Sequence, residues 1–268
     1  MDKIDFHIHS YYSDGTMTPE EIIAEAKRLG LKKIAITDHN VLEGNDEGRR
    51  LAPNYVIPGV EIDALEEGID VHVLAYNYDT NNQEFRKFIK ENNKKLMDTD
   101  DMLIDKMIEG GEPLSRADYD KYEYNRKLGG WKALHYLIDL GYIETVPDCF
   151  KLMAKFHHSH ANIPFLSVKE VIDLIHKAGG KAVLAHAGKT FPAEKMDYYL
   201  DKMLSYGIDG FEAYYPAHSE ELRLKLSNLA REHNLLITCG NDCHGTFQKT
   251  WIGEVDVDIK DLNLKDLI

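Results

Sequence analysis

A chain of 268 residues, with 43% hydrophobic and 29% charged residues, is long enough to bury one barrel-sized core and is neither disordered nor fibrous. Its 46 acidic residues outnumber its 32 basic residues, and the resulting net charge of −14 argues against a surface that binds long duplex nucleic acid. No apolar run approaches the ~20 residues of a membrane span, and Met1 leads into a strand pattern without a basic and apolar leader. We therefore expect a cytoplasmic protein that makes no membrane contact.

Strands and helices alternate from the amino terminus. KIDFHIH predicts a strand, and TPEEIIAEAKRLG predicts a helix with Thr18 as its cap, Pro19 at its first position and Glu21 completing a capping box. Gly30 is expected to end that helix. KKIAITDHN, NYVIPGVEID and DVHVLAYNY then follow as predicted strands.

Residues 80–166 have a different pattern, which is helical with no convincing strand. We therefore divide the chain into a barrel formed by residues 1–79 and 167–268 and a helical insert formed by residues 80–166. The insert could be a packing addition or a lid over the functional site, and the sequence leaves both alternatives open.

The alternation returns after the insert. SVKEVIDLIHKAGG carries a second Ser-x-x-Glu capping box and predicts a helix, followed by KAVLAHAG and GIDGFEAYYP as strands. A helix from about Glu220 to Glu232 and the strand LLITCGNDCH complete the pattern. Repeated strand–helix units predict an α/β fold with a largely parallel sheet, either open or closed into a barrel.

The three cysteines, Cys149, Cys239 and Cys243, are odd in number and form no C-x-x-C pair. A disulfide framework is therefore not expected, in agreement with a reducing compartment. Cys239 and Cys243 could be zinc ligands, but the histidines and aspartates nearby are better candidates.

Histidines and carboxylates collect at the carboxyl ends of the predicted strands, where sheets and barrels of this class carry their sites. In DFHIHSYYSDG, residues 5–15, strand alternation places His7 and His9 on one face, and Asp14 follows. Imidazole and carboxylate donors together suit zinc, manganese or iron, and a metal ion needs at least three or four donors. The candidates at strand ends are His7, His9, Asp14, Asp38, His39, Glu61, His72, His186, Asp242 and His244.

The order of the motifs HxH, SDG, TDHN, GVE, AH and GNDxH resembles the PHP family, named for polymerase and histidinol phosphatase. The resemblance covers essentially the whole chain and is closest to the branch that includes nucleoside 3′,5′-bisphosphate and oligonucleotide phosphatases. It implies a distorted (β/α)7 TIM-like barrel, the PHP fold, with a helical insertion. It also implies a cofactor of two to three divalent metal ions, manganese, zinc or iron, at the strand ends.

The resemblance implies which residues hold each metal ion. Glu61 would bridge two ions, because a carboxylate can bind two metals and a neutral imidazole cannot. Asp38, which has its side chain on the opposite strand face, would support the ligands or cap its loop. The implied sets are His7, His9, Glu61 and Asp242 for the first ion, Glu61, His72 and His186 for the second, and Asp14, His39 and His244 for the third.

The activity that the resemblance implies is hydrolysis of a phosphomonoester, from a nucleotide or another small phosphate ester. A water that bridges two ions becomes hydroxide near neutral pH and can attack phosphorus, while the ions hold the nonbridging oxygens. Three divalent ions would outweigh the charges of Asp14, Glu61 and Asp242, and would attract a phosphate to an acidic protein. The expected partner is a small phosphorylated substrate such as a nucleotide or a short oligonucleotide, whereas the oligomeric state stays open.

The substrate contacts depart from the family pattern. Related phosphatases commonly carry Gly-Arg-Pro-His where this chain has GGWK, residues 129–132, so Lys132 or Arg126 would have to replace an arginine fork. Lys189, which follows the AHAG motif, is either a phosphate contact or a solvated loop lysine. His218 in YYPAHSE would donate a proton to the leaving group or bind substrate, or would simply begin a helix.

Two other functions stay open from the sequence. A noncatalytic, metal-stabilised PHP module would keep the fold without turnover, but such modules usually lack ligands that this chain retains. A metal-dependent amidohydrolase would also collect histidines at strand ends, although the SDG and GNDCH motifs fit the PHP pattern better.

Overall fold

The computed structural model describes residues 1–268 as a mixed α/β fold with two sheets. The first sheet is parallel and has the strand order β1-β2-β3, and the second has the order β4-β5-β6-β7-β8. The strands are β1 Asp5–Ile8, β2 Ile34–Ile36, β3 Val56–Ile57, β4 Gly59–Glu66, β5 Ile69–Tyr76, β6 Lys181–Leu184, β7 Gly210–Tyr214 and β8 Leu236–Cys239. Pro58, which has no N–H group, separates β3 from β4 within a segment that the sequence predicts as one strand.

The second sheet is not largely parallel, and the expectation of a largely parallel sheet is corrected here. Strands β6, β7 and β8 are parallel, but β5 runs antiparallel to both β4 and β6. The cause is a tight turn at Glu67 and Gly68, which have φ values of 50° and 78°. Two successive residues with positive φ are typical of the two-residue turns that join antiparallel strands.

Isolated bridges connect the two sheets at both of their seams. Ile8 in β1 pairs with Cys243 beyond β8, and His39 beyond β2 pairs with Glu61 in β4. The polar ends of these strands are thereby brought to one place. The α/β class is confirmed, whereas closure into a (β/α)7 barrel stays a prediction.

The helices outside the insert follow the sequence signals closely. Both expected capping boxes form, at Thr18 with Glu21 and at Ser167 with Glu170. These helices are α1 Pro19–Arg28, α2 Glu43–Leu51, α7 Val168–Lys177, α8 Ala187–Thr190, α9 Met196–Tyr206 and α10 Glu220–Glu232. None of the helices in the structure is both long enough and apolar enough to cross a membrane.

The segment 80–166 contains helices and no strand, as its pattern predicts. Its helices are α3 Gln83–Glu109, α4 Arg116–Lys121, α5 Lys132–Asp139 and α6 Val146–Lys155. They enclose a hydrophobic cluster that includes Leu103, Met107, Tyr119 and Leu137 and that is separate from the main core between the second sheet and its helices. The insert therefore has its own packing, and its boundaries as a separate unit stay a prediction.

Candidate metal centre

The first expected group of ligands comes together at the end of β1. The Nε2 atoms of His7 and His9 are 3.1 Å apart, and both side chains are buried. Glu61 Oε2 lies 3.1 Å from His7 Nε2 and 3.2 Å from His9 Nε2, and Asp242 Oδ1 lies 3.2 Å from His9 Nε2. Donor atoms of these four residues all lie within 4.8 Å of one another, which is close enough to surround one ion.

Glu61 faces a second set of imidazoles with its other oxygen. Its Oε1 lies 3.0 Å from His72 Nδ1 and 3.1 Å from His186 Nε2. Two of the expected ligands have an unusual backbone conformation, with φ values of 24° at His186 and 51° at Asp242. Such positive φ values are costly for residues other than glycine and cluster at functional sites. The Glu61 carboxylate is therefore placed between two groups of imidazoles, with one oxygen toward each.

A third group adjoins the first. Asp14 Oδ2 lies 3.1 Å from His244 Nε2, and the rings of His9 and His244 stack with centroids 4.0 Å apart. Donor atoms of His9, Asp14, His39 and His244 lie within 4.8 Å of one another, so His9 contacts both groups. The structure thus brings all of the expected ligands into one continuous cluster.

Several buried polar atoms of the cluster make no well-aligned hydrogen bond, although imidazole nitrogens or carboxylate oxygens lie close to them. An unpartnered polar atom in the interior costs about 1–3 kcal/mol, and more when it is charged. Divalent ions would bind these nitrogen and oxygen atoms, and the mixture of imidazole and carboxylate suits zinc, manganese or iron. The residues present therefore fit bound metal ions. The unpartnered atoms are His9 Nδ1, His39 Nδ1, Glu61 Oε2 and His244 Nε2.

The cluster strongly shifts the pKa values of its members. Burial disfavours the charged form of His7, but Glu61, Glu212 and Asp242 overcome that effect and raise the pKa of His7 to about 10. Burial likewise disfavours ionised Glu61, but the nearby imidazoles of His7, His39 and His72 hold the pKa of Glu61 well below its usual range. Without metal, a proton on His7 therefore provides positive charge that a metal ion would otherwise supply.

Glu212 supports the cluster from β7, and the sequence reasoning missed it. Its Oε1 lies 2.9 Å from His7 Nδ1, and its Oε2 accepts a hydrogen bond of 2.9 Å from the backbone N–H of His186. A carboxylate on the outer nitrogen of a ligating histidine fixes the ring orientation and raises its basicity. The available signal was a lone acid inside an apolar strand, GFEAY, because a buried carboxylate requires partners.

Asp63 was also missed, although it follows Glu61 by two residues and therefore lies on the same face of β4. Its Oδ1 lies 3.2 Å from His72 Nε2 and 3.4 Å from His39 Nδ1. Asn40 donates a hydrogen bond to its other oxygen. Asp63 thus holds two of the expected ligands in place.

Two of the remaining predicted residues contact the cluster or its loops. Lys189 Nζ lies 3.0 Å from Asp242 Oδ2, so this lysine reaches the site. Asp38 accepts hydrogen bonds of 2.7 Å from the Ser10 backbone N–H and from the Ser10 and Ser13 hydroxyls. Asp38 therefore shapes the loop after β1.

The other predicted substrate contacts lie apart from the cluster or are already engaged. Lys132 Nζ donates to the carbonyl of Asp120 and lies 4.5 Å from the centre of the Tyr119 ring, so it packs within the insert. Arg126 is exposed on a short turn of the insert.

Both ring nitrogens of His218 are bonded to the backbone. Its Nδ1 lies 3.0 Å from the carbonyl oxygen of Ala213, and its Nε2 accepts a 3.1 Å hydrogen bond from the N–H of Gly188. In this arrangement His218 holds the turn that follows His186. Its role as a proton donor or substrate contact stays a prediction.

This cluster on an α/β fold agrees with the comparison with protein families. The model of the PHP domain matches residues 5–182, which is more than half of the chain. The chain therefore belongs to the PHP family, and the expected family is confirmed.

Three curated relatives are similar along nearly the whole chain. The 5′-3′ exoribonuclease Rnm of Salmonella typhimurium is 27% identical over 90% of this chain and 84% of its own. A phosphoribosyl 1,2-cyclic phosphate 1,2-diphosphodiesterase of Eggerthella lenta is 23% identical over 91% and 94%. A 3′,5′-nucleoside bisphosphate phosphatase of Chromobacterium violaceum is 23% identical over 91% and 88%.

A solved structure has a similar fold. The crystal structure of a protein from Bifidobacterium adolescentis, described as a metal-dependent phosphoesterase, superposes with a TM-score of 0.78 and is 30% identical. The match covers 97% of this chain and 94% of that protein.

Proposed function

We propose that this chain hydrolyses a phosphomonoester of a nucleotide or another small phosphorylated compound at a trinuclear metal centre. The observation that carries the proposal is the position of Glu61, which directs one carboxylate oxygen to each of two imidazole groups. The chain is a PHP-family hydrolase of phosphate ester bonds, and its relatives are named for cleaving such bonds.

The proposed ligands follow the clusters of the structure. Glu61 would be shared by two ions, and Glu212 and Asp63 would orient the ligating imidazoles. The proposed sets are His7, His9, Glu61 and Asp242, then Glu61, His72 and His186, then Asp14, His39 and His244. The first and third agree with groups of adjacent donor atoms, and the second is supported by the contacts of Glu61 Oε1 with His72 and His186.

Bound divalent ions would activate water for attack on phosphorus and neutralise the phosphate oxygens. The chain itself would contribute a cation through Lys189. Burial opposes the charge of this lysine, but Asp242 overcomes that effect and raises the pKa of Lys189 above its usual value. Because its side chain is half exposed beside the cluster, Lys189 can hold an entering phosphate by a charge-assisted hydrogen bond.

We also infer that the two sheets form one distorted (β/α)7 barrel. The bridges Ile8–Cys243 and His39–Glu61 support this inference, because they join the sheets on both sides of the cluster. The insert, residues 80–166, would be a separate helical unit, which contacts the loop after β1 through the hydrogen bond from Gly130 to Asp14.

The test is a screen of the manganese-loaded protein against phosphomonoesters, nucleoside bisphosphates, short oligonucleotides and amides. We expect phosphate release from at least one phosphate ester and no amide hydrolysis. Glu61→Gln should reduce the activity by roughly 100-fold or more, whereas substitution of Glu84, an exposed residue at the start of α3, by Gln should leave it unchanged. Turnover that survives a chelator, or turnover of amides alone, would contradict the proposal.

A further inference from the structure

Three aromatic rings of the insert form a group beside the metal centre. The ring centroids of Trp131 and Phe150 are 6.3 Å apart, and that of His160 lies 6.5 Å from Trp131 and 6.0 Å from Phe150. Phe150 is 49% exposed, which is unusual for a large apolar side chain, and the other two rings are half-buried. We call Trp131, Phe150 and His160 the aromatic group.

The aromatic group is joined to the metal centre on two sides. Gly130, the residue before Trp131, donates a backbone hydrogen bond of 2.8 Å to the carbonyl of Asp14. On the other side, the short helical turn His160–Asn162 contacts β5, the strand that carries His72. The group therefore lies next to the metal centre.

The chemistry of the group suits a flat heteroaromatic ligand. Aromatic faces bind nucleobases of any sequence by stacking. His160 Nε2 is buried and has no hydrogen-bond partner, so this nitrogen is free to form a hydrogen bond with a polar ligand. Lys132, the residue expected to contact a second phosphate, instead donates a hydrogen bond to the backbone carbonyl of Asp120 within the insert.

We propose that the aromatic group is a nucleobase subsite, so that the substrate carries a purine or pyrimidine beside the phosphate that is cleaved. This inference rests on the proposed phosphoesterase function and narrows it. The relatives do not decide whether the substrate carries a base. Two of them are named for RNA and for nucleoside bisphosphates, which contain bases, whereas the third is named for phosphoribosyl 1,2-cyclic phosphate, which contains none.

A binding experiment tests the subsite without using turnover. The chain has two tryptophans, so Trp251→Phe leaves Trp131 as the only indole. The probes are the adenosine and ribose 5′-phosphonates in which a CH₂ group replaces the ester oxygen, added to the manganese-loaded protein. We expect the adenosine compound to quench Trp131 fluorescence and the ribose compound to leave it unchanged. Equal effects of the two compounds would overturn the inference.

Substitutions at Phe150 provide the matched controls, because this exposed side chain can change without loss of the fold. Phe150→Leu should raise the KM for AMP by roughly 5- to 150-fold, the range expected for losing a stacked ring, while KM for ribose 5-phosphate stays constant. Phe150→Tyr keeps the ring and should preserve both values. Equal changes for AMP and ribose 5-phosphate would overturn the subsite.

The two experiments separate this inference from the function on which it rests. Selective quenching by the adenosine compound in a protein that cleaves no phosphate ester would refute the phosphoesterase function and retain the subsite. Phosphate release with equal responses to both compounds would retain the function and refute the subsite.

Discussion

Glu61 is the residue on which the proposed chemistry most depends, because each of its oxygens faces a different group of imidazoles. We expect Glu61→Gln to reduce kcat by roughly 100-fold or more at saturating manganese, since an amide provides one weak oxygen in place of two charged ones. Asp14→Asn should cost less, about tenfold, because Asp14 belongs to one group only. Steady-state kinetics check this order, and the reverse ranking would show that the bridge is misassigned.

The raised pKa of His7 should make the metal affinity of the centre depend on pH. Its pKa of about 10 in the metal-free cluster means that His7 carries a proton at pH 7.5, whereas a metal-bound imidazole must be neutral. Metal binding should therefore release about one proton from His7, and metal affinity should rise as the pH rises toward 10. Calorimetric titrations in buffers of different ionisation enthalpy measure the released protons. An affinity that falls with rising pH would contradict this assignment.

Most of the ligands could be predicted from sequence because they lie at or just beyond the ends of β1, β2, β6 and β8, and strand ends meet in this class of fold. Glu61 and His72 differ, because they lie within β4 and β5, and the antiparallel pairing of these two strands brings them together. Glu212 and Asp63 could not be assigned in this way, since their roles depend on which imidazoles come from other strands. His160 shows the same limit, because its position beside the centre depends on how the insert packs against β5.

Among the elements, helices were more predictable than strand directions. Helix α10 spans Glu220–Glu232 as expected, and both capping boxes form, because these signals depend on residues a few positions apart. The direction of β5 depends on the turn at Glu67 and Gly68, whose two positive φ values the sequence pattern did not disclose. Sheet closure depends on pairing between distant segments and could not be read from local patterns.

The insert is attached to the site through a turn that needs glycine. Gly130 has φ of 67°, and a Cβ atom there would lie 2.8 Å from Leu134 Cδ2 and 2.9 Å from the Phe247 ring. Gly130→Ala should therefore lower the free energy of unfolding by about 1–3 kcal/mol. Gly141, with φ of 75° and open space around it, is the matched control.

Gly141→Ala carries the backbone strain without the clash, so it should destabilise the protein less than Gly130→Ala. Urea denaturation of both variants measures the difference. Equal losses of stability would mean that the close packing at Gly130 is not important.

For the whole molecule, the metal centre should stabilise the fold, because its ligands come from both sheets and from the segment after β8. A ligand present at 100 times its Kd contributes about 2.7 kcal/mol, so a chelator should lower the Tm by roughly 5 °C or more. Thermal denaturation with and without chelator measures the shift, and added manganese should restore it. Identical curves, for a protein that elemental analysis shows to contain metal, would contradict a structural contribution of the centre.

The most direct test of the multinuclear phosphoesterase is a titration of the metal-free protein with manganese while phosphate release is followed. The donor clusters around Glu61, with the adjoining group at Asp14, predict that activity rises until two to three ions are bound per chain and then stays constant. Full activity without metal, or a plateau at a single ion, would contradict the account.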